Sequence, residues 1–84
     1  MKMNTRAEAV IARLKEQGLT LATAESCTGG LIGKLLTDVP GASAVYKGGV
    51  ISYVNEIKHR LLGVEQAILD VCTAVSRETA HEMA

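Results

Sequence analysis

Phenylalanine and tryptophan are absent from the sequence, and the aromatic residues are Tyr46 and Tyr53 alone. A core without large rings has to be assembled from leucine, isoleucine, valine and alanine, a set that suits close packing of helices on a sheet. Cysteine occurs twice, at Cys27 and Cys72, which is too few and too widely spaced for a disulfide scaffold or a redox pair. A charge of one sign is also lacking. Nine basic and nine acidic residues cancel, and the densest basic stretch, Lys58-His59-Arg60, is too short to track a polyanion. Nucleic-acid binding asks for a basic face, so no nucleic-acid partner is expected. Residues 1–6 contain no apolar targeting segment, and no run is long enough to span a bilayer, so no membrane partner is expected. A soluble protein of the reducing cytoplasm is the expectation. The 84 residues suffice for one small domain of marginal stability.

What is present reads as alternating helices and strands. Thr5-Arg6-Ala7-Glu8 has the form of a capping box, and Ala7, Val10, Ile11 and Leu14 follow at helical spacing, predicting a helix over Thr5 to Gln17 that Gly18 ends. Leu19 to Ala24 reads as a buried strand. Leu31, Ile32, Leu35 and Leu36 predict a second helix that stops before Pro40. Val45 to Val54 reads as the second strand, with Gly48-Gly49 marking a bulge or a close backbone approach. Asn55 is expected to cap a short helix ending at Gly63, Glu65 to Asp70 to form a further helical turn, and Ser76 to cap a last helix running to Ala84. Two strands with helices between them make an incomplete open sheet, because a lone strand pair leaves edges unpaired. The fold class is therefore α/β, and the chain reads as a fragment of a larger α/β domain.

Two stretches carry residues suited to chemistry. Glu25-Ser26-Cys27-Thr28-Gly29-Gly30 lies between the first strand and the second helix. A helix start binds anions, and a turn at the carboxyl end of a strand opens to a cleft. The same residues also read as a glycine-rich turn with Ser and Thr as caps, and they match neither a Walker A loop nor Gly-x-Gly-x-x-Gly. Cys27 rivals Ser26 as a nucleophile on this pattern alone, and a small buried apolar role is equally open to it. Glu25 reads as an acid–base group or as a structural charge at the turn, the structural role being preferred. In the second stretch, Tyr53-Val54-Asn55-Glu56-Ile57-Lys58, the lysine stands in the first turn of a helix, where the dipole favours acids. A lysine so placed and partly buried suits a general base beside a serine. Otherwise it is a solvated lysine, and Tyr53 is core packing. Cys27, Cys72, His59 and His81 fit no common zinc spacing, so no metal is expected.

Taken in order, Thr23-Ala24-Glu25-Ser26-Cys27-Thr28-Gly29-Gly30, Asp38-Val39-Pro40-Gly41-Ala42-Ser43, the segment Gly48 to Lys58, Leu62-Gly63-Val64 and Ala74-Val75-Ser76 resemble the motifs of the CinA C-terminal domain family, the nicotinamide-nucleotide amidohydrolases also called competence-damage-inducible protein A. The resemblance covers nearly the whole chain from Leu19 onward and corresponds to the N-terminal half of the family domain. It implies an incomplete α/β/α sandwich, with residues 1–84 a single partial domain truncated at its C-terminal side. It implies hydrolysis of nicotinamide mononucleotide to nicotinate mononucleotide and ammonia in pyridine-nucleotide recycling. By the same resemblance Ser26 is the nucleophile, Lys58 its base, and Tyr53 assists proton transfer or holds the base. Thr28, Gly29 and Gly30 supply substrate contacts. No metal or organic cofactor is implied, the partner is a small nucleotide substrate, and a homo-oligomer is expected. Two positions depart from the family pattern: Val54 stands where Ser usually precedes Asn55, and Thr73 where Gly usually precedes Ala-Val-Ser. The family's later Gly-x-x-Gly-Pro and Lys-Pro-Val-Gly-Thr segments are not in this chain. The alternative reading is an inactive fragment, or a nucleotide-phosphate-binding module, that self-associates through its open sheet edge.

Overall fold

Apolar residues four apart put Ala7 and Ile11 on the buried face of the first helix, α1 (Thr5–Gln17). The structure, a computed structural model, describes residues 5–84. Thr5 stands inside α1 rather than ahead of it, so the residue that would cap the helix lies outside the described residues. Gly18, at φ 64°, ends the helix as expected, and its N–H donates to the Lys15 carbonyl at 3.3 Å. The N–H of Leu19 is taken by the Leu14 carbonyl at 3.0 Å. Leu19 thus still belongs to the helix end and is exposed, and the first strand, β1 (Leu21–Glu25), begins and ends later than the sequence suggests.

Helix α2 (Leu31–Thr37) ends ahead of Pro40, and a 3₁₀ turn over Ala42–Ala44 leads to β2 (Tyr46–Ile51). Strand β2 is shorter than the Val45 to Val54 expected. Val45 closes the 3₁₀ turn with φ −125° and ψ −34°, outside extended geometry, and Val54 is taken up as the N-cap of α3 (Asn55–Leu62). Asn55 is therefore the first helical residue and not the cap, and Val54 offers no side-chain hydrogen bond in that place. Gly63, at φ 70°, terminates α3. Helices α4 (Gln66–Cys72) and α5 (Arg77–Met83) follow. Ser76 caps α5 as the sequence predicts, its Oγ accepting the Thr79 N–H at 3.1 Å.

The two strands form one sheet. Leu21 N–H donates to the Val45 carbonyl at 2.9 Å and Ser52 N–H to the Glu25 carbonyl at 2.8 Å. Early residues of β1 thus pair with early residues of β2, and the pair is parallel. Between those two bonds β2 advances one residue more than a regular parallel ladder would. Gly48, at φ 140°, takes a conformation that side chains rarely adopt, as a bulge there requires. At Gly49 the close approach is direct: an added Cβ would stand 2.9 Å from Tyr46 Oη and 3.0 Å from the Thr23 carbonyl, and would also meet Thr23 Oγ1.

The chain forms two compact units, one of residues up to 23 with 30–49, the other of residues 24–29 with 50–84. The first is built on Ala7, Ile11, Leu36, Val39, Ala42 and Val45. In the second the buried side chains are Val64 and Leu69 together with the polar Glu25, Ser52, Lys58 and Thr79. Its strained point is Thr73, at φ 69° and ψ 171°, a region essentially reserved for glycine. The Thr73 carbonyl accepts from Thr79 Oγ1 at 2.6 Å and Ser76 Oγ at 3.2 Å, which hold the strained residue in place.

Replacing Thr73 by Gly is expected to raise stability by about 1 kcal/mol, since relief of about 1–3 kcal/mol of strain outweighs the unfolded-state entropy of glycine. Urea denaturation measures it, and a lower midpoint would show that Thr73 is not strained. Gly49→Ala is expected to cost about 1–3 kcal/mol through overpacking against Tyr46 and the Thr23 backbone, read by the same titration.

Candidate active site

Ser26 follows β1 directly into a turn that closes when the Gly29 N–H donates to the Ser26 carbonyl at 3.0 Å. Gly29 and Gly30 adopt φ 65° and 99°, so this turn depends on residues without a Cβ. Thr28 Oγ1 donates to Glu25 Oε1 at 3.0 Å, and Glu25 is 5% exposed. The carboxylate is thus a buried anchor of the turn, in keeping with the structural role preferred for it. Ser26 is half-buried, while Cys27 and Thr28 are exposed. Helix α2 begins at Leu31, five residues beyond Ser26. Neither Ser26 nor Cys27 therefore stands at a helix N-terminus, and the anion-binding and thiol-activating effects expected of a helix start do not reach them.

Lys58 falls in the first turn of α3, its N–H donating to the Val54 carbonyl at 3.2 Å. Its side chain is 1% exposed, and Nζ donates to the Tyr53 carbonyl at 2.9 Å. The solvated alternative for this lysine is thereby excluded. Tyr53 does not end β2 but lies two residues past it, and its ring is 73% exposed, so it is not core packing. What Tyr53 brings to Lys58 is a backbone carbonyl.

One backbone bond links the two stretches and a second holds the lysine within its own. Glu25, next to Ser26, accepts from Ser52, and Tyr53, next to Ser52, accepts from Lys58. Ser26, Thr28, Gly29, Tyr53 and Lys58 all belong to the second unit. Ser52 escaped the sequence reading. It is completely buried and its Oγ makes no hydrogen bond. The available signal was a lone hydroxyl between Val50 and Val54 on one strand face. Chemically, the set holds a hydroxyl that needs a base to become a nucleophile and an amine able to serve as that base. Among the described residues no group of three or more His, Cys, Asp or Glu side chains could hold a metal ion, and no helix is long and apolar enough to cross a membrane. A hollow of about 500 Å³ elsewhere in the second unit is lined by Glu65, Ile68, Arg77, Glu78, His81 and Glu82, none of them among the candidate site residues.

Helices alternating with a parallel strand pair make this an α/β protein, and comparison with known proteins identifies the family. The family description of the CinA C-terminal domain matches residues 3–84, and the chain belongs to that family. A CinA-like protein of Synechocystis sp. is 54% identical over 81 residues, which are 96% of this chain and 20% of that protein. A protein of Caldanaerobacter subterraneus named for competence-damage induction is 60% identical over 77 residues, 19% of its own length. Among solved structures, the competence/damage inducible protein CihA from Agrobacterium tumefaciens superposes with a TM-score of 0.90 at 46% identity, covering 93% of this chain and 47% of that one. A CinA superfamily protein from Escherichia coli gives 0.90 at 36% identity, over 93% and 45% of the two chains. The chain thus spans about a fifth of these curated relatives and about half of the solved domains.

A buried ammonium with one carbonyl partner costs more than it returns. Lys58→Met, which keeps the apolar stem, is therefore expected to leave stability unchanged or raise it by up to about 2 kcal/mol. Thermal and urea unfolding check this; a clear loss would show that the lysine is there to hold the fold.

Proposed function

We propose that this chain carries the nucleophile and base of a nicotinamide-nucleotide amidohydrolase, converting nicotinamide mononucleotide and water to nicotinate mononucleotide and ammonia. The observation that carries the reading is the buried Lys58, fixed through Nζ to the Tyr53 carbonyl in the same unit as Ser26. Membership of the CinA C-terminal domain family supports it.

In this reading Ser26 Oγ attacks the carboxamide carbon while Lys58 takes the hydroxyl proton and then gives a proton to the departing ammonia. The resulting ester is hydrolysed by water, with Lys58 again accepting a proton, and Ser26 is restored. Tyr53 positions the base through its carbonyl. The Thr28 N–H, in a turn shaped by Gly29 and Gly30, stabilises the charge that develops on the carboxamide oxygen. Cys27, exposed on the turn, is not the nucleophile. No metal or organic cofactor enters the scheme. The working protein is a cytoplasmic homo-oligomer, and the second half of the family domain supplies further walls of the substrate site.

A second reading draws on the exposed apolar residues of the second unit, among them Val71 and Val75. In it the 84-residue chain by itself is an inactive half that self-associates.

The test is ammonia release from nicotinamide mononucleotide by this chain and by a full-length family domain containing it. Ser26→Ala is expected to lower the rate by a factor of about 10³ or more. Turnover that survives the substitution would sink the amidohydrolase reading. An aggregated, silent short chain beside an active full domain would assign the second reading to the short chain.

A further inference from the structure

Ser52 has no part in the steps of amide hydrolysis, yet its side chain is 0% exposed and its Oγ has no hydrogen-bond partner. A hydroxyl taken from water and left unpaired is costly, and such groups are uncommon enough to call for an explanation. Its neighbours supply one. The Ser52 N–H is fixed to the Glu25 carbonyl at 2.8 Å, directly before Ser26. The next residue, Tyr53, provides the carbonyl on which Lys58 Nζ rests at 2.9 Å. An ammonium carries three donors and a hydroxyl oxygen can accept two hydrogen bonds. Ser52 to Lys58 thus contains a buried acceptor with no donor and a buried donor group with capacity to spare, and the backbone of Ser52 is bonded to Glu25, next to Ser26.

We propose that Ser52 is a positioning residue for the amide hydrolysis: with substrate bound, its Oγ accepts a hydrogen bond from Lys58 Nζ, so that the amine is held between this hydroxyl and the Tyr53 carbonyl and presents its remaining position to Ser26. The inference rests on the amidohydrolase reading for its reaction and on the buried, unpaired hydroxyl for its residue. Ser52 touches neither substrate nor reacting atoms; it acts through Lys58. Because the hydroxyl is unpaired without substrate, removing it is not expected to weaken the fold.

Ser52→Ala in the full-length domain is therefore expected to lower kcat for nicotinamide mononucleotide by about tenfold to a hundredfold, the loss of one charge-assisted hydrogen bond. KM should change little, the acid limb of the kcat–pH profile should move, and the melting temperature should hold or rise. Ser52→Thr, which keeps the hydroxyl, should recover most of the rate. An unchanged kcat and pH profile in Ser52→Ala overturns the proposal, as does a rate that falls together with melting temperature and is not recovered by Thr. A readout independent of turnover is hydrogen exchange at the Lys58 ammonium, followed by NMR with and without nicotinamide mononucleotide. Slowing by the nucleotide in the unsubstituted protein and not in Ser52→Ala is expected; equal behaviour in both, including no slowing in either, overturns it. Activity lost in Ser26→Ala but retained in Ser52→Ala defeats the positioning role alone. No turnover in the unsubstituted domain defeats the amidohydrolase reading, and the exchange measurement then decides the role of Ser52 by itself.

Discussion

The burial of the Lys58 ammonium constrains much of the second unit. Its four methylenes pack as an apolar stem, but the charged head must find oxygen, because an ammonium withdrawn from water without an acceptor is too costly to keep. The acceptor is the Tyr53 carbonyl, and the chain path explains why it is free. Strand β2 stops at Ile51 and α3 starts at Asn55. Tyr53 therefore sits in the short extended link where neither a helical turn nor the strand ladder takes its carbonyl. Val54, extended at φ −93° and ψ 153°, turns the chain into α3 and accepts the N–H of Lys58 itself. Three consecutive features thus converge on one side chain: the end of the strand, the uncapped helix start and the placement of lysine in the first turn.

The serine side of the site is held by backbone bonds and one buried carboxylate. Glu25 closes β1 by accepting from Ser52, and its buried carboxylate takes the Thr28 hydroxyl. The turn between them closes through Gly29. In the first unit, the extra residue in β2 and the contact at Gly49 fix how β1 and β2 pair. Parallel pairing brings the carboxyl ends of both strands to one end of the sheet, the place where open α/β sheets carry their sites. That is how two motifs roughly thirty positions apart in sequence come to share one unit.

Much of this was legible beforehand. Hydrophobic periodicity pointed to α1 and α2, Gly63 to the end of α3, and Ser76 was recognisable as the cap of α5 because Ser, Thr and Asn bond a free N–H nearby, whereas α4 read only as a helical turn over Glu65 to Asp70 and runs from Gln66 to Cys72. The same rule misled at Thr5 and Asn55, each of which the helix absorbed as its own residue. Strand ends were missed for a related reason: Leu19 and Val45 have strand-like side chains, but their backbones serve a helix end and a 3₁₀ turn. Adjacent Gly48 and Gly49 read as a bulge or a close approach, and the structure has the irregular φ at one and the close approach at the other. Within the site, motif order pointed to Ser26 and Lys58 together, whereas composition could not. The exposure of Tyr53 had no local signal, since it follows from where β2 lets go of the ladder, and Ser52 offered only a lone hydroxyl between Val50 and Val54 on one strand face.

The two units divide their burdens unequally. The first buries aliphatic side chains around Ile11, Leu36 and Val45, the ordinary source of folding free energy. The second buries a carboxylate, an ammonium and two hydroxyls beside only Val64 and Leu69, and it contains Thr73 in a glycine conformation. Local rules of burial, satisfaction and backbone preference agree among the described residues of the first unit and conflict in the second. Conflicts of this kind are expected where a protein gives up stability for chemistry. Of the costly groups, Glu25 and Lys58 lie in the two motifs and Ser52 adjoins the second. Thr79 and Thr73 lie outside both motifs; the strain of Thr73 is held by Ser76 and Thr79, and no chemistry of the site accounts for it.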